Sequence, residues 1–213
     1  MSQVDSVYRF LEKNYQENEP IFLSDVVVPG MKEVSVRQQF GKLTGDGRLK
    51  RFDTGIYYLP RESIFKSGGT LSVEKVIRRK YLMDGDKTCG YMCGVGFANR
   101  LGLTTQVPAV YEVCSNYATT DYRDTRLGGF RVIVKKPYLE INDQNAYALQ
   151  FLDLMKEVVE VSELEGSELT ERLMAYLKAR DMKFDNLKPY LRFYPDKIYK
   201  NMYEAGLLNG MAT

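Results

Sequence analysis

Histidine is absent from this chain of 213 residues. Its absence removes the commonest general base near neutral pH, the Ser-His-Asp and Cys-His catalytic arrangements, and every metal site that contains histidine. The acidic side chains also lack the paired spacing that is typical of a two-metal site. We therefore predict that the protein is not an enzyme and that it holds no metal ion and no cofactor.

Cysteine and long apolar runs are also scarce. The three cysteines, Cys89, Cys93 and Cys114, are odd in number and lack the CxxC spacing, which favours reduced thiols packed as small hydrophobic side chains. No run approaches the roughly 18 apolar residues of a membrane span, and the first residues do not resemble a signal peptide. We therefore expect a cytoplasmic protein without a membrane partner.

The chain has little net charge, because its formal charge is only +2. Any electropositive surface must therefore be local. Residues 31–61 carry seven Lys or Arg against three acids, which gives that segment a net charge of +4. The basic residues are Lys32, Arg37, Lys42, Arg48, Lys50, Arg51 and Arg61, and the acids are Glu33, Asp46 and Asp53.

The same segment predicts a helix followed by a basic β-hairpin. Ser35 is a favourable N-cap, and the apolar residues Val36, Phe40 and Leu43 recur at helical spacing, so they are expected to face a core. Gly45 and Gly47 would end the helix. In residues 48–52 Leu49 alternates with basic residues, and Asp53-Thr54-Gly55 supplies a turn before the strand at residues 56–59.

The preceding residues complete the order of a winged helix-turn-helix. Apolar spacing predicts a first helix at about residues 2–15, and Ser24 is expected to cap a short second helix that ends before Pro29-Gly30. The connector at residues 28–34 is longer than the three to four residues usual in this motif.

The exposed face of the third helix and the hairpin predict an interface with duplex DNA. Arginine reads guanine through two hydrogen bonds, glutamine pairs with adenine, and lysine meets phosphates. The residues predicted to contact DNA are Arg37, Gln38, Gln39, Lys42, Arg48, Lys50 and Arg51. A winged helix also serves in other proteins as a protein-interaction module, so the fold alone does not decide this.

Beyond the linker around Ser67-Gly68-Gly69 the chain predicts a second domain. A basic helix is expected at residues 72–81, and a small-residue helix before Gly102. The glycines near Gly94 lack the register of a phosphate-binding loop. Strands at residues 109–115 and 130–136 are expected to pair across the polar loop 116–126.

The end of the chain predicts helices, from Gln144 to a tyrosine-rich tail whose tyrosines favour packing or a protein partner. The predicted class is α+β, with a winged helix-turn-helix domain at residues 1–62. A mixed α/β domain with a small antiparallel sheet and a helical tail follows at residues 70–213.

The wing and the glycine-rich segment together resemble a known family. The wing ends in Gly55-Ile56-Tyr57-Tyr58-Leu59-Pro60, and the later motifs are Gly90-Tyr91-Met92-Cys93-Gly94, Leu101-Gly102-Leu103-Thr104 and Pro108. This combination resembles the AbiEi-type antitoxins, the transcriptional regulators of bacterial abortive-infection (type IV) toxin–antitoxin systems. The resemblance covers residues 1 to about 160.

The resemblance implies a winged-helix domain that represses its own operon and a C-terminal domain that counters a cognate nucleotidyltransferase toxin. It places the DNA contacts on Arg37, Gln38, Lys42, Arg48, Lys50 and Arg51. Since one winged helix reads only a short half-site, we expect two protomers on an inverted repeat in the protein's own promoter. The alternative is a winged-helix regulator whose C-terminal domain senses or handles a nucleotide or another small ligand.

Overall fold

The computed structural model describes residues 3–61 and 70–210 and has the α+β class that the sequence predicts. The chain divides into two compact units, Met1–Arg79 and Lys80–Thr213. The linker Ser67-Gly68-Gly69 lies outside the described residues.

The first unit combines helices with a small sheet. In chain order its elements are α1 (Gln3–Asn14), β1 (Ile21–Phe22), a 3-10 turn (Leu23–Asp25), α2 (Glu33–Gly45), β2 (Lys50–Asp53), β3 (Ile56–Tyr58) and α3 (Val73–Ile77). The three strands form an antiparallel sheet in the order β1-β3-β2. Gly55, with a φ of 73°, makes the turn between β2 and β3 in the left-handed region that glycine favours.

A single apolar core joins the two long helices of this unit to the hairpin. Val7 and Leu11 of α1 are fully buried with Phe40 and Leu43 of α2. Leu49, which precedes β2, is also fully buried, as its alternation with basic residues predicts. Burial of side chains of this size contributes about 1.5–3 kcal/mol each, so the apolar spacing in the sequence accounts for this core.

The start of α2 differs from the prediction, because Ser35 is not its N-cap. Lys32 holds that position with an extended backbone, and its carbonyl accepts a hydrogen bond from the amide of Val36 at 3.1 Å. Glu33 consequently lies in the first turn, where a negative charge interacts favourably with the helix dipole. The helix gains Glu33 and Val34, and both are exposed.

The second helix predicted from Ser24 is also wrong, since only the 3-10 turn forms there. Val26 is extended, and burial alternates along the following residues, with Val26 and Val28 buried and Val27 exposed. Branching at Cβ lowers helix propensity, and the residue before Pro29 is restricted to extended conformations. Three valines before a proline therefore continue as an extended segment.

The first unit extends to Arg79, which is later than the linker that composition indicates. Ser72 caps α3 through a hydrogen bond from the amide of Glu74 at 3.2 Å. Lys75 pairs with Glu19, and Arg79 pairs with Asp25 at 2.8 Å. These basic residues therefore bind acids of their own unit.

The second unit contains a four-stranded sheet and a set of helices. Its strands are β4 (Met83–Asp84), β5 (Lys87–Thr88), β6 (Gly90–Cys93), β7 (Val110–Ser115), β8 (Tyr122–Leu127) and β9 (Phe130–Lys135). Its helices are α4 (Gly94–Arg100), α5 (Ala146–Met155), α6 (Val158–Val161), α7 (Gly166–Lys178), α8 (Phe184–Leu191), α9 (Lys197–Glu204) and α10 (Leu207–Gly210). A π-helical turn, Arg78–Leu82, leads into the β4–β5 hairpin, and the larger sheet has the order β6-β7-β9-β8.

The predicted pairing of β7 with β9 is present, but the two strands are parallel. Residues 122–127, which the sequence assigns to a polar loop, form β8 and pair antiparallel with β9. Gly128 and Gly129 both have positive φ, which permits a two-residue turn between β8 and β9. The chain reverses direction once between β7 and β8 and again between β8 and β9, so β9 runs in the same direction as β7.

Helix α5 is the centre of the second unit. Every residue from Ala146 to Met155 except Tyr147 is buried. Buried polar side chains also bind its backbone, since Tyr194 donates to the Leu149 carbonyl at 3.1 Å and Asn201 to the Met155 carbonyl at 2.7 Å. The exposed tyrosines of the tail, Tyr199 and Tyr203, lie on α9.

Two glycine substitutions, one in each unit, are expected to change the free energy of unfolding in opposite directions. A Cβ at Gly90 would overlap the Tyr81 carbonyl and lie 2.7 Å from the Cys114 carbonyl oxygen, so Gly90→Ala is expected to move backbone and destabilise the second unit. A Cβ at Gly41 in α2 would meet nothing within 4 Å. Gly41→Ala should therefore stabilise by about 0.5–1 kcal/mol. Urea titrations followed by circular dichroism measure both, and a Gly90→Ala protein as stable as the wild type would contradict the close packing.

Candidate functional site

One face of α2 forms a continuous exposed stripe, which we call the α2 face. Its residues lie three or four positions apart, the spacing of one side of a helix. They are Val34, Arg37, Gln38, Gly41, Lys42 and Gly45, and all six are exposed. The opposite side of the helix is buried in the core of the first unit. The burial of that side fixes which residues the helix presents to solvent.

Aromatic and backbone contacts hold α2 against the hairpin. The rings of Phe40 and Tyr57 meet edge to face with their centroids 5.0 Å apart. The amide of Leu49 donates to the Leu43 carbonyl at 3.1 Å, which joins the end of the helix to the start of the hairpin. The α2 face and the β2–β3 hairpin are therefore parts of one packed body.

Three of the predicted DNA-contacting residues lie together on the α2 face. Arg37 is 68% exposed, and its guanidinium pairs with Glu33 one turn earlier at 3.1 Å. Gln38 and Lys42 are exposed beside it. The face therefore carries a guanidinium, an amide and an ammonium within two turns of helix, and these are the groups that read bases and bind phosphates.

Gln39 does not belong to this face, contrary to the prediction. Its side chain is only 3% exposed, because position 39 falls between Val36 and Phe40 on the buried side of the helix. A base edge cannot reach a buried amide. The sequence shows two adjacent glutamines, and only the helical phase fixed by the core decides that Gln38 points outward.

Arg48 is a structural residue rather than an open contact. Its guanidinium donates to Asp46 at 3.0 Å and to Asp5 at 3.2 Å, and it lies 5.2 Å from the centroid of the Tyr8 ring. The hydrogen bonds that Arg48 donates to Asp46 and Asp5 raise the pKa of Arg48. This cluster ties α1 to the turn after α2, so Arg48 stabilises the site from within.

The hairpin positions Arg51 at its tip. Arg51 is exposed, and it donates to the Asp53 carbonyl at 3.2 Å and to the hydroxyl of Thr54 at 3.0 Å. These bonds hold the side chain over the turn. Lys50 is half-buried on the same strand. The structure therefore places an exposed guanidinium near the turn of the hairpin.

The sequence interpretation missed Val34 and Gly41. Val34 is 69% exposed on the α2 face, and a Cβ at Gly41 would meet no atom within 4 Å. An exposed apolar side chain is the type that contacts the thymine methyl group, and glycine lets another molecule approach the helix backbone. The spacing 34, 37, 38, 41 could have revealed both once the start of the helix was known.

The second unit contains a buried polar cluster between α5 and the sheet. Asp153 of α5 accepts hydrogen bonds from the Tyr91 hydroxyl at 2.6 Å and the Cys114 thiol at 3.0 Å. Its other oxygen lies 2.6 Å from the ammonium of Lys156. Cys93 and Cys114 are free thiols with their sulfur atoms 3.9 Å apart. The prediction that Cys89, Cys93 and Cys114 are buried is thus confirmed.

Burial and charge in this cluster shift several pKa values. Burial and the nearby Asp153 carboxylate raise the pKa of Tyr91 well above its usual value. The hydrogen bond with Cys93, together with burial, does the same for Cys114, so this thiol stays protonated and unreactive. Burial alone would lower the pKa of Lys156, but the attraction of Asp153 outweighs it and raises that pKa. The cluster therefore consists of the Asp153–Lys156 ion pair and two protonated donors, the Tyr91 hydroxyl and the Cys114 thiol.

Metal clusters and membrane-spanning helices are absent from the parts of the chain that are described. Across residues 3–61 and 70–210, no three or more Cys, Asp or Glu side chains are grouped so that they could hold a metal ion. No helix in those ranges is both long enough and apolar enough to cross a membrane.

The pair of the buried Asp153 with the partly exposed Lys156 predicts a loss of stability when the carboxylate charge is removed. Asp153→Asn keeps the shape of the side chain but leaves the Lys156 ammonium without a carboxylate. Because the Lys156 side chain is 29% exposed, its ammonium stays partly solvated, and we expect the free energy of unfolding to fall by about 1.5–3 kcal/mol through the weakened hydrogen bonds of Asp153. Glu160→Gln is the control, because its pair with Lys197 is exposed and such pairs contribute about 0–1 kcal/mol. Urea titration distinguishes the two, and equal losses would contradict this role of Asp153.

Comparison with known proteins adds no relative to this description. No protein-family model matches the chain, and no curated protein matches its sequence. The function proposed below is therefore argued from the α2 face, the hairpin and the geometry of the second unit.

Proposed function

We propose that residues 3–61 form a winged-helix domain that binds duplex DNA through the α2 face and the hairpin. The order α1, β1, 3-10 turn, α2, β2, β3 supports this fold, with the 3-10 turn in the place of the second helix. The three-stranded sheet β1-β3-β2 forms the wing. The observation that carries the proposal is the exposed stripe with Arg37, Gln38 and Lys42 on one side of α2.

The dimensions and chemistry of α2 suit the major groove. A helix with its side chains is about 10–12 Å across, and the major groove is about 12 Å wide. Gly41 and Gly45 have no side chains, so the backbone in the middle and at the end of the α2 face can come close to the base edges. Arg37 is then placed to read guanine, and Gln38 to read adenine.

The ion pair of Arg37 does not prevent this role. Arg37 and Glu33 are both largely exposed, and an exposed pair of this kind contributes only about 0.3–0.5 kcal/mol. A bidentate contact with guanine is worth about 1–3 kcal/mol of discrimination. The guanidinium can therefore leave Glu33 for a base at small cost, and Glu33 keeps it extended along the helix beforehand.

The remaining basic residues bind the DNA backbone in this proposal. Lys42 lies at the C-terminal part of the α2 face, and Arg51 lies at the tip of the hairpin. Cations at these two places would contact phosphates on either side of a groove, which fixes the orientation of the helix without reading sequence. Arg48 supports the interface indirectly through Asp5 and Asp46.

At the level of the cell, we propose a cytoplasmic transcriptional repressor that acts on its own operon and as an antitoxin. Two protomers on an inverted repeat would supply the selectivity that one half-site lacks. The antitoxin role, directed at a nucleotidyltransferase toxin and exerted without chemistry in the second unit, depends on the resemblance to AbiEi-type antitoxins.

One observation favours the alternative of ligand sensing by the second unit. A cleft of about 470 Å³ lies beside Tyr147, and Asp143, Asp181 and Asp185 are among the residues that line it. Arg180 also lines it, but its guanidinium lies over the Tyr176 ring at 3.8 Å from the centroid. Three carboxylates repel a phosphate, so a cationic ligand fits this cleft better than a nucleotide does.

DNA binding is tested with a duplex fragment from immediately upstream of the protein's own reading frame. Arg37→Ala should weaken binding to that fragment by about 1–3 kcal/mol and relax the preference at one base pair, because a base contact is lost. Lys42→Ala should weaken binding to every sequence and lower the slope of log affinity against log salt by about 1. Fluorescence anisotropy over a salt series measures both effects.

The matched control for these variants is Lys183→Ala, which removes an exposed lysine from the second unit. It should bind the fragment as the wild type does. Wild-type protein without salt-sensitive binding would overturn the proposal, and so would losses for Arg37→Ala and Lys42→Ala no larger than that of the control.

The two proposed activities should separate in the full chain. A variant with both Arg37→Ala and Lys42→Ala is expected to lose repression of the promoter and still to rescue growth against a nucleotidyltransferase encoded beside it. Reporter expression and growth under toxin induction measure the two effects in the same cells. Loss of both activities in the folded variant, or steady nucleotide turnover by the purified wild-type protein, would contradict an antitoxin that acts without chemistry.

A further inference from the structure

The strand β8 forms an open edge of the four-stranded sheet. Within the described ranges it pairs with β9 alone, and its six residues run from Tyr122 to Leu127. Tyr122 is 54% exposed, and Asp124 and Arg126 are exposed on the same face of the strand. An edge of this length presents backbone donors and acceptors to another strand.

The hydrogen-bond phase of the hairpin shows which residues face outward. The amide of Lys136 donates to the Asp121 carbonyl at 3.2 Å, so the odd-numbered residues of this strand bond to β9. In an antiparallel pair the intervening residues direct their N–H and C=O groups away from the partner. The backbone N–H and C=O groups of residues 122, 124 and 126 therefore point away from β9, toward the open edge of the sheet. The Tyr122 carbonyl accepts from the Thr120 hydroxyl at 3.1 Å, which leaves Asp124 and Arg126 as the central outward pair.

The side chains on this edge carry unbalanced charge. Arg126 lies directly opposite Arg131 of β9, and like charges in that position destabilise a sheet. Arg131 takes the nearest carboxylate, since it donates to Asp124 through two nitrogens at 2.6 and 2.9 Å. The Asp124 carboxylate is thus bound by Arg131, and the Arg126 guanidinium lies on the same side of the sheet beside this pair. A second carboxylate beside Arg126 would balance the group.

We propose that two copies of the chain associate by antiparallel pairing of β8 with β8. Asp124 of each copy lies opposite Arg126 of the other, with Thr125 on the two-fold axis. The two four-stranded sheets then form one continuous sheet of eight strands. The interface requires neither DNA nor the function of the first unit, and it provides the two protomers that an inverted repeat needs.

Charge complementarity selects this register over its neighbours. Outward residues must pair with outward residues, so Asp124 can lie opposite residue 122, 124, 126 or 128 of the second copy. Pairing Asp124 with Asp124, or Arg126 with Arg126, sets like charges opposite each other, and pairing Tyr122 with Asp124 sets Arg123 opposite Arg123. The proposed register forms two opposite-charge pairs and four backbone hydrogen bonds. The second copy's Asp124 also supplies the carboxylate that Arg126 lacks.

The self-association is tested on the full chain without DNA. Sedimentation equilibrium over a concentration series at low salt should show a reversible monomer–dimer equilibrium that weakens as salt screens the ion pairs. Arg126→Asp leaves the Asp124–Arg131 pair in place and sets a new carboxylate opposite Asp124 of the second copy. We expect it to weaken association on the order of tenfold or more, because two opposite-charge pairs become two like-charge contacts.

A mixing experiment makes the test independent of the stability of any one variant. Asp124→Arg alone sets arginines opposite each other and should also be monomeric. Mixed with Arg126→Asp, it should form a heterodimer, since arginines on one strand then face aspartates on the other. Lys183→Asp is the control for a change of charge away from the edge and should dimerise as the wild type does.

Three results would overturn the proposal. They are a wild-type chain that is monomeric up to its solubility limit, a folded Arg126→Asp variant that dimerises as strongly as the control, and a mixture of folded variants that remains monomeric. Circular dichroism establishes folding in each case. A wild-type chain that dimerises but does not bind DNA would overturn the function proposed for the first unit and leave this interface unaffected.

Discussion

The contact between Phe40 and Tyr57 fixes the orientation of the candidate interface. This edge-to-face pair, together with the fully buried Leu43, holds one side of α2 against the hairpin. The helix therefore has a single phase, and the stripe from Val34 to Gly45 is exposed because the opposite side is packed. A surface that binds another molecule gains specificity when its side chains are fixed before binding, since less ordering is needed. The core of the first unit supplies that rigidity to a helix whose exposed face is otherwise polar.

The positive charge of residues 31–61 is distributed unevenly by the fold. Arg48 is bound by Asp5 and Asp46, whereas Arg37 is only loosely held by Glu33 on the surface. Part of the local charge therefore stabilises the packing of α1 against the end of α2. The part that can meet a polyanion is concentrated on the α2 face and the hairpin tip. Local net charge overstates the charge available for binding, and the individual ion pairs show which residues contribute.

The second unit uses charge in two different environments. Asp153 is buried and pairs with the partly exposed Lys156, so the loss of Lys156 is costly because the carboxylate remains poorly solvated. Asp124 and Arg131 form a pair at the edge of the sheet, where water screens them and a single arginine, Arg126, remains beside them. The hydrogen bonds that Tyr91 of β6 and Cys114 of β7 donate to Asp153 join α5 to the sheet. The edge pair instead gives β8 a pattern of charge that matches a second copy of itself.

The sequence by itself determined the α+β class, the first helix, the basic hairpin and the strands β7 and β9, because apolar spacing and turn glycines act locally. It also predicted that Arg37, Gln38 and Lys42 face away from the core. The tertiary structure decided the rest. In the structure α2 begins at Glu33, before Ser35, the side chain of Gln39 is buried, and Arg48 is held in an ion-pair cluster. Each of these outcomes depends on contacts with residues distant in sequence. The tertiary structure also made β7 and β9 parallel, because β8 forms within a segment that is polar in sequence. Strand direction and helical phase are set by packing, and packing joins residues that a local pattern does not connect.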